Sequence, residues 1–429
     1  MTACRERLGA GLMCRRWLDA LLAPRLWRSV RVQLQLRCGG GGGPPPPPGL
    51  GWDERAAGVV LASPRYAPLV RRLELRWGRP GPGPSPAAKA SLAPALRLLE
   101  VARAAGLAGH LQLEQLQLRD LAHSHRACGG ASQRGRLLAA LATFLGSQSR
   151  LQMLSLENTC LGVSEVVRLL GAAARSSAAA ITALRLRAAF REWQAPHASP
   201  RFCRSLRRVG PLASLSLDYP ALSDAMLVLL GECCGPALRL LSVTVRDTDN
   251  RQHVLSEGAW ADFARSCPGS RTYLNIENIG HHDDISRLLL PSMPLCGFRL
   301  YSGRVWDQSL SRAFRATLRL LAANYRQSLE IVQLNLKNSR EQVDDVLLDL
   351  LTCCDRLSHF HFDGVLRRLS TVGDMCRLRL DDATNFQYIH VRPKLASSKI
   401  TSCAKDILAN FHVPLSEKSV DFQIEIPTR

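Results

Sequence analysis

His359 and His361 flank a single phenylalanine in the run Ser358-His-Phe-His-Phe-Asp363. Alternation of polar and apolar residues sends both imidazoles to one side of a strand, where such a pair could bind a metal or respond to pH. We read them as members of a polar strand face. His123, His125 and Cys128 could also touch a metal, but no second ligand pair follows at zinc-finger spacing. In His281-His282-Asp283-Asp284 the aspartates stand ahead of a helical pattern, which they are expected to cap while opposing its dipole. No Gly-x-x-x-x-Gly-Lys-(Ser/Thr), Gly-x-Ser-x-Gly or His-Glu-x-x-His occurs. The glycine run after Cys38 passes into prolines and cradles no phosphate. The expectation is a protein that is not itself an enzyme, with no cofactor and no resident metal.

The elements that hold these residues are set by a recurring phrase, L-x-x-L-x-L. It reads Leu113-x-x-Leu116-x-Leu118, Leu151-x-x-Leu154-x-Leu156, Ile181-x-x-Leu184-x-Leu186 and Leu212-x-x-Leu215-x-Leu217. Later copies are Leu295-x-x-Phe298-x-Leu300, Ile331-x-x-Leu334-x-Leu336, Leu357-x-x-Phe360-x-Phe362 and Met375-x-x-Leu378-x-Leu380. Helical periodicity fills most of the gaps, for example over 136–146, 164–174, 224–234, 260–267, 283–290, 309–323 and 341–354, with Ser164 expected as a cap. A strand and a helix repeated in this way predict an α/β leucine-rich-repeat solenoid, with a parallel sheet on the concave side and helices on the convex side. With Leu73, Val243 and Leu274 as the centres of further strands, successive centres lie 18 to 43 residues apart, so the ribs are irregular. The alternating tail 419–426 is expected to add a last strand over the open end.

In this phrase the leucines face the core and the residues between them face outward. The outward set names the residues expected to meet a partner protein: Arg185, Arg187, Asp218, Tyr273, Asn275, Glu277, Arg299, Tyr301, Asn335, Lys337, His359 and His361. The Met375 copy adds Arg377, Arg379 and Asp381 to the same expected face. By the same rule Leu154→Asp should unfold neighbouring ribs, whereas Ser155→Asp should be tolerated.

Of 429 residues, 46% are hydrophobic, enough to fold most of the chain. The net charge of +20 invites a nucleic-acid reading. Lysines are few, however, arginines are scattered, and no basic block stands out, so nucleic acid is not the expected partner. No membrane span is expected, because no stretch of about 20 apolar residues occurs. Without an apolar signal segment, a cytoplasmic or nuclear site with reduced thiols is expected. The adjacent pairs Cys233-Cys234 and Cys353-Cys354 then act as small apolar residues.

Three segments are expected: a helical block over 1–37, a Gly/Pro-rich linker over 38–51, and ribs over 52–429 with an inserted loop at 79–90. The first block carries Cys14-Arg15-Arg16-Trp17 and Pro24-Arg25-Leu26-Trp27. It resembles the second half of an F-box, and the whole order is similar to F-box only proteins with degenerate leucine-rich repeats. That family's opening Leu-Pro-x-x-(Leu/Ile) helix is missing ahead of Arg5. In the family the F-box docks on the adaptor Skp1 of a cullin-based ubiquitin ligase, and the repeats hold the substrate. The resemblance implies a substrate receptor in which Leu12, Cys14, Trp17, Leu21, Leu22 and Trp27 face the adaptor or pack the block onto the ribs. Skp1 and cullin would then bind through this block if a full-length protein supplies its first half. The alternative is a leucine-rich scaffold without a ligase, its tryptophans capping the first rib.

Overall fold

The computed structural model describes residues 24–34, 54–77, 92–121, 131–191, 193–249, 253–303, 312–394 and 398–425. The expected linker at 38–51, the loop at 79–90 and the His123, His125, Cys128 group lie outside them. The chain divides into two units, Met1–Ala221 and Leu222–Arg429.

In the first unit, strands β1 (Ser29–Leu34), β2 (Arg72–Trp77), β3 (Gln115–Arg119), β4 (Met153–Ser155), β5 (Ala183–Arg185) and β6 (Ser214–Asp218) pair in parallel, each with the next. One register row runs Val30, Leu73, Leu116, Leu154, Leu184, Leu215, all essentially without solvent exposure. Period-two alternation thus puts one aliphatic side chain per rib into a continuous core. The carbonyl ahead of a strand accepts from two successive N–H groups of the next rib: Arg28 O from Arg71 and Arg72, Arg71 O from Glu114 and Gln115, Glu114 O from Gln152 and Met153.

Helix α1 (Pro24–Trp27) precedes β1, whereas α2 (Glu54–Ala62), α3 (Ala93–Leu107), α4 (Ala131–Leu145), α5 (Val163–Ser177) and α6 (Pro200–Val209) lie between the strands in sequence and pack each on the next. In α5, Val166, Leu169, Leu170 and Ala173 have the i, i+3, i+4, i+7 spacing and are buried. Ser164 is not its cap. The cap is Gly162, whose N–H donates to Glu165 Oε2 at 2.6 Å.

The second unit continues with strands β7 (Leu240–Arg246), β8 (Arg271–Glu277), β9 (Leu295–Tyr301), β10 (Ile331–Asn335), β11 (His359–Gly364), β12 (Tyr388–Pro393) and β13 (Asp421–Ile424), again parallel and in order. Its inner row is Val243, Leu274, Phe298, Val332, Phe360, Ile389, Phe422. Helices α7 (Asp224–Cys234), α8 (Glu257–Ser266), α9 (His282–Ser286), α10 (Phe314–Tyr325), α11 (Asp344–Cys353), α12 (Ser370–Leu380) and α13 (Ser398–Glu417) complete it. The fold is thus the leucine-rich-repeat arrangement of strands and helices.

Four expectations change. Met375–Leu380 is the end of helix α12, not a strand; Val372, Met375 and Cys376 are buried at i, i+3, i+4 and turn that segment onto a helical face. The strand of this rib is β12, where Ile389 and Val391 point inward. Second, the ribs start before residue 52, because Val30, Val32 and Leu34 of β1 alternate into the core beside β2. Third, Asp283 and Asp284 sit in the first turn of α9 and oppose its dipole, but the cap position is His281 and no side chain caps it. Fourth, Leu334 stands opposite Phe362, not Phe360, a two-residue offset that leaves the facing unchanged.

Polar side chains lock the turns after the strands. Thr159, at the ninth position of Leu151-x-x-Leu154-x-Leu156-x-x-Thr159-x-Leu161, donates to Leu156 O at 2.9 Å and reaches Ala189 O of the next rib at 3.3 Å. That position is Asn or Cys in regular repeats. In the second unit buried Asn338 does the same job, with Nδ2 on Val365 O and Oδ1 accepting from Val365 N, both at 2.8 Å. Asp344 is fully buried at the start of α11. Its carboxylate accepts from Arg367 N (3.1 Å), Arg368 N (3.0 Å) and Thr371 Oγ1 (3.1 Å), which ties down the start of α12.

Candidate protein-binding face

The residues between the inward-pointing positions form the open face of each sheet. In the second unit three register rows cross it. The first is Ser242, Tyr273, Gly297, Ile331, His359, Tyr388, Asp421. The second is Thr244, Asn275, Arg299, Gln333, His361, His390, Gln423. The third is Arg246, Glu277, Tyr301, Asn335, Asp363, Arg392. The parallel ladder therefore brings Tyr273, Asn275, Glu277, Arg299, Tyr301, Asn335, His359 and His361 to one face, as their alternation predicts. Lys337 follows β10 and is exposed.

At the β11–β12 end the imidazoles and a phenol cluster. Nδ1 of His361 lies 3.0 Å from Nδ1 of His390, with the rings edge to face at 4.6 Å between centroids. Tyr388 Oη is 3.3 Å from His390 Nδ1, and the Tyr388 ring stacks on His359 at 6.1 Å. Ser358 Oγ is 2.9 Å from His359 Nδ1. Nε2 of His390 faces Glu425 Oε1 at 3.3 Å, at ion-pair distance but outside hydrogen-bond geometry. Burial pushes His361 below the usual histidine range, and His390 and then Arg299 act in the same sense; Asp363 and Glu425 oppose them without prevailing. Burial, then Asp421 and Glu425, push the Tyr388 hydroxyl up, so it stays protonated.

Next to this cluster Lys394 bridges three ribs. Its Nζ donates to Asn335 Oδ1 (3.1 Å), Leu336 O (3.2 Å) and Asp363 O (3.3 Å) and pairs with Asp363 Oδ1 at 2.9 Å. Asn335 Nδ2 completes the knot on Asp363 Oδ2 at 2.8 Å. Asn335 thus holds its neighbours rather than facing outward with both amide atoms available. Glu277 is held by Arg246 Nε at 3.2 Å. Arg299 and Tyr301 remain exposed, and Arg299 has no carboxylate partner among the described residues.

The first unit's candidates are less uniform. Arg185 is exposed on β5 and Arg187 half-buried beyond it. Asp218 is buried and its Oδ2 accepts from Ala188 N–H at 2.6 Å, so it fixes a turn instead of meeting a partner. Ser155, between Gln117 and Arg185 in register, is fully buried with no hydrogen bond to its hydroxyl. An aspartate there would be buried, so the expected tolerance of Ser155→Asp does not stand. Of the residues expected at an adaptor, Leu12, Cys14, Trp17, Leu21 and Leu22 lie outside the described residues. Trp27 is fully buried with its ring 4.7 Å from Tyr66, so its own side chain packs into the first rib rather than facing outward. Arg377, Arg379 and Asp381 belong to α12 and the turn after it, away from the open face.

Sequence reasoning missed Tyr388, His390, Arg392 and Lys394, because it placed that rib's strand at 375–380. The alternation Tyr388-Ile389-His390-Val391 carried the signal. Among the described residues no group of three or more His, Cys, Asp or Glu could hold a metal ion, and no helix is long and apolar enough to cross a membrane.

No protein-family model matches the chain. Among solved structures, the leucine-rich repeat-containing protein LegL7 from Legionella pneumophila is 13% identical to it, over 88% of this chain and 98% of that chain, with a TM-score of 0.36.

Proposed function

We propose that the second unit binds a partner protein through its open face over β8–β12, and that the chain delivers this partner as the substrate receptor of a Skp1–cullin–F-box ubiquitin ligase without catalysing a reaction itself. The observation that carries the binding reading is the register row Asn275, Arg299, Gln333, His361, His390 flanked by Tyr273, Tyr301, His359 and Tyr388. Aromatics and arginine next to neutral amides are the composition of protein-recognition surfaces. The ligase reading is supported by Cys14-Arg15-Arg16-Trp17 and Pro24-Arg25-Leu26-Trp27 ahead of the ribs. It places the chain in the cytoplasm or nucleus, with neither a cofactor nor a membrane.

Affinity purification from cells of the tagged chain, with a Leu-Pro-x-x-Leu F-box helix supplied ahead of Arg5, tests both parts. Skp1 and cullin should follow the wild type and be lost with Trp17→Arg, while the substrate is retained. A substrate lost with Tyr301→Asp but no Skp1 in any sample would leave a leucine-rich scaffold and end the ligase reading.

A further inference from the structure

We infer that the partner segment seated on the β8–β12 face is acidic and extended, with a carboxylate on Arg299 and its apolar side chains on Tyr301 and Tyr273. The inference rests on the reading of this face as the partner-binding surface, and adds the chemistry of the partner.

Three observations converge on it. The exposed crest of the face is formed by Arg299, Tyr301, Gln333 and Lys337, with Tyr301 39% exposed. Its two cations have no counter-charge: neither Arg299 nor Lys337 pairs with a carboxylate among the described residues. The row neighbours of Arg299 are the neutral amides Asn275 and Gln333. The carboxylates on the flanking strands are held elsewhere, Glu277 by Arg246 and Asp363 by Lys394 at 2.9 Å. Covering an unpaired guanidinium with a neutral partner is costly, whereas its fork matches a carboxylate with two parallel hydrogen bonds.

The apolar part of the site is also built. The Tyr273 ring fills the space above Gly297, where an added Cβ would lie 2.3 Å from its Cδ1. Glycine at this position thus leaves room for the ring over the neighbouring strand. Tyr273 and Tyr301 stand on either side of the Arg299 row, so a partner strand with apolar, acidic and apolar residues at i, i+2 and i+4, which share one face, would meet all three.

The test immobilises the full chain and offers synthetic peptides of equal length in which Asn and Gln are replaced stepwise by Asp and Glu. Retention should rise about tenfold from the neutral to the acidic end at low salt. Arg299→Glu should abolish the rise without changing thermal unfolding, and Arg201→Glu on α6, the same charge change, should keep it. A rise unaffected by Arg299→Glu, or reduced equally by both variants, overturns the inference. Neutral peptides retained best and lost with Tyr301→Asp would leave the protein-binding face standing and remove only its acidic partner. Retention of no peptide overturns the inference as well, and loss of the cellular partner in Tyr301→Asp then decides whether the face survives. Duplex DNA retained by the wild type and released by Arg299→Glu would assign the crest to nucleic acid instead.

Discussion

The Nδ1 atoms of His361 and His390 lie 3.0 Å apart, so at least one of the two rings must carry its proton between them and both cannot do so comfortably. Burial, before any charge, depresses the affinity of His361 for a further proton. The unfolded chain therefore binds that proton at a pH where the folded chain refuses it. The sign follows: stability is complete above the ordinary histidine value of about 6.5 and declines as pH falls below it. Urea unfolding at successive pH values should show this slope in the wild type and a shallower one in His361→Gln. Identical slopes would exclude His361 as its source.

Asp344 has no solvent contact and accepts two backbone N–H groups and one hydroxyl from the following rib. Asp344→Ala strands these donors and should cost about 3 kcal/mol. Asp344→Asn keeps one acceptor and should cost less. Chemical denaturation of the full chain measures both, and an unchanged midpoint for the alanine variant would refute the role.

Leu184 and Arg185 are consecutive on β5, one fully buried and the other exposed. Leu184→Asp should destabilise the first unit by roughly 4 kcal/mol, and Arg185→Asp by less than about 0.5 kcal/mol. Equal melting temperatures would reverse the facing of the entire row.

Lys394→Met removes an ammonium that touches Asn335, Leu336 and Asp363 on two neighbouring ribs. A loss of about 2 kcal/mol is expected, from the lost bonds to Asn335 Oδ1, Leu336 O and Asp363 O and a carboxylate left to Asn335 alone. Hydrogen exchange should speed up at β10–β12 and not at β7–β8. Uniform protection throughout would count against the bridge.

The strands centred on Leu116, Leu154, Leu184 and Leu215 were legible because each leucine triplet has only one reading at that spacing. Met375-x-x-Leu378-x-Leu380 misled for a physical reason: Met375 also stands three residues after Val372, and that helical spacing carries the buried side chains. The true strand at Tyr388 has isoleucine and valine in place of the leucines, so His390 and the histidine contact went unseen. β1 was hidden by the Trp17–Trp27 block, whose composition masked the alternation of Val30, Val32 and Leu34. Asp218 and Ser155 faced the predicted side, but alternation gives the direction of a side chain and not how deeply its neighbours cover it.

The backbone hydrogen bonds that join one rib to the next link residues a single repeat apart, as from Arg71 N–H to Arg28 O, from Gln152 N–H to Glu114 O and from Gln387 N–H to Ser358 O. Within each unit a nascent rib therefore needs only its predecessor as a template. A ribosome releasing the chain from its N-terminus can lay these ribs down one after another, with no strand left waiting for a distant mate.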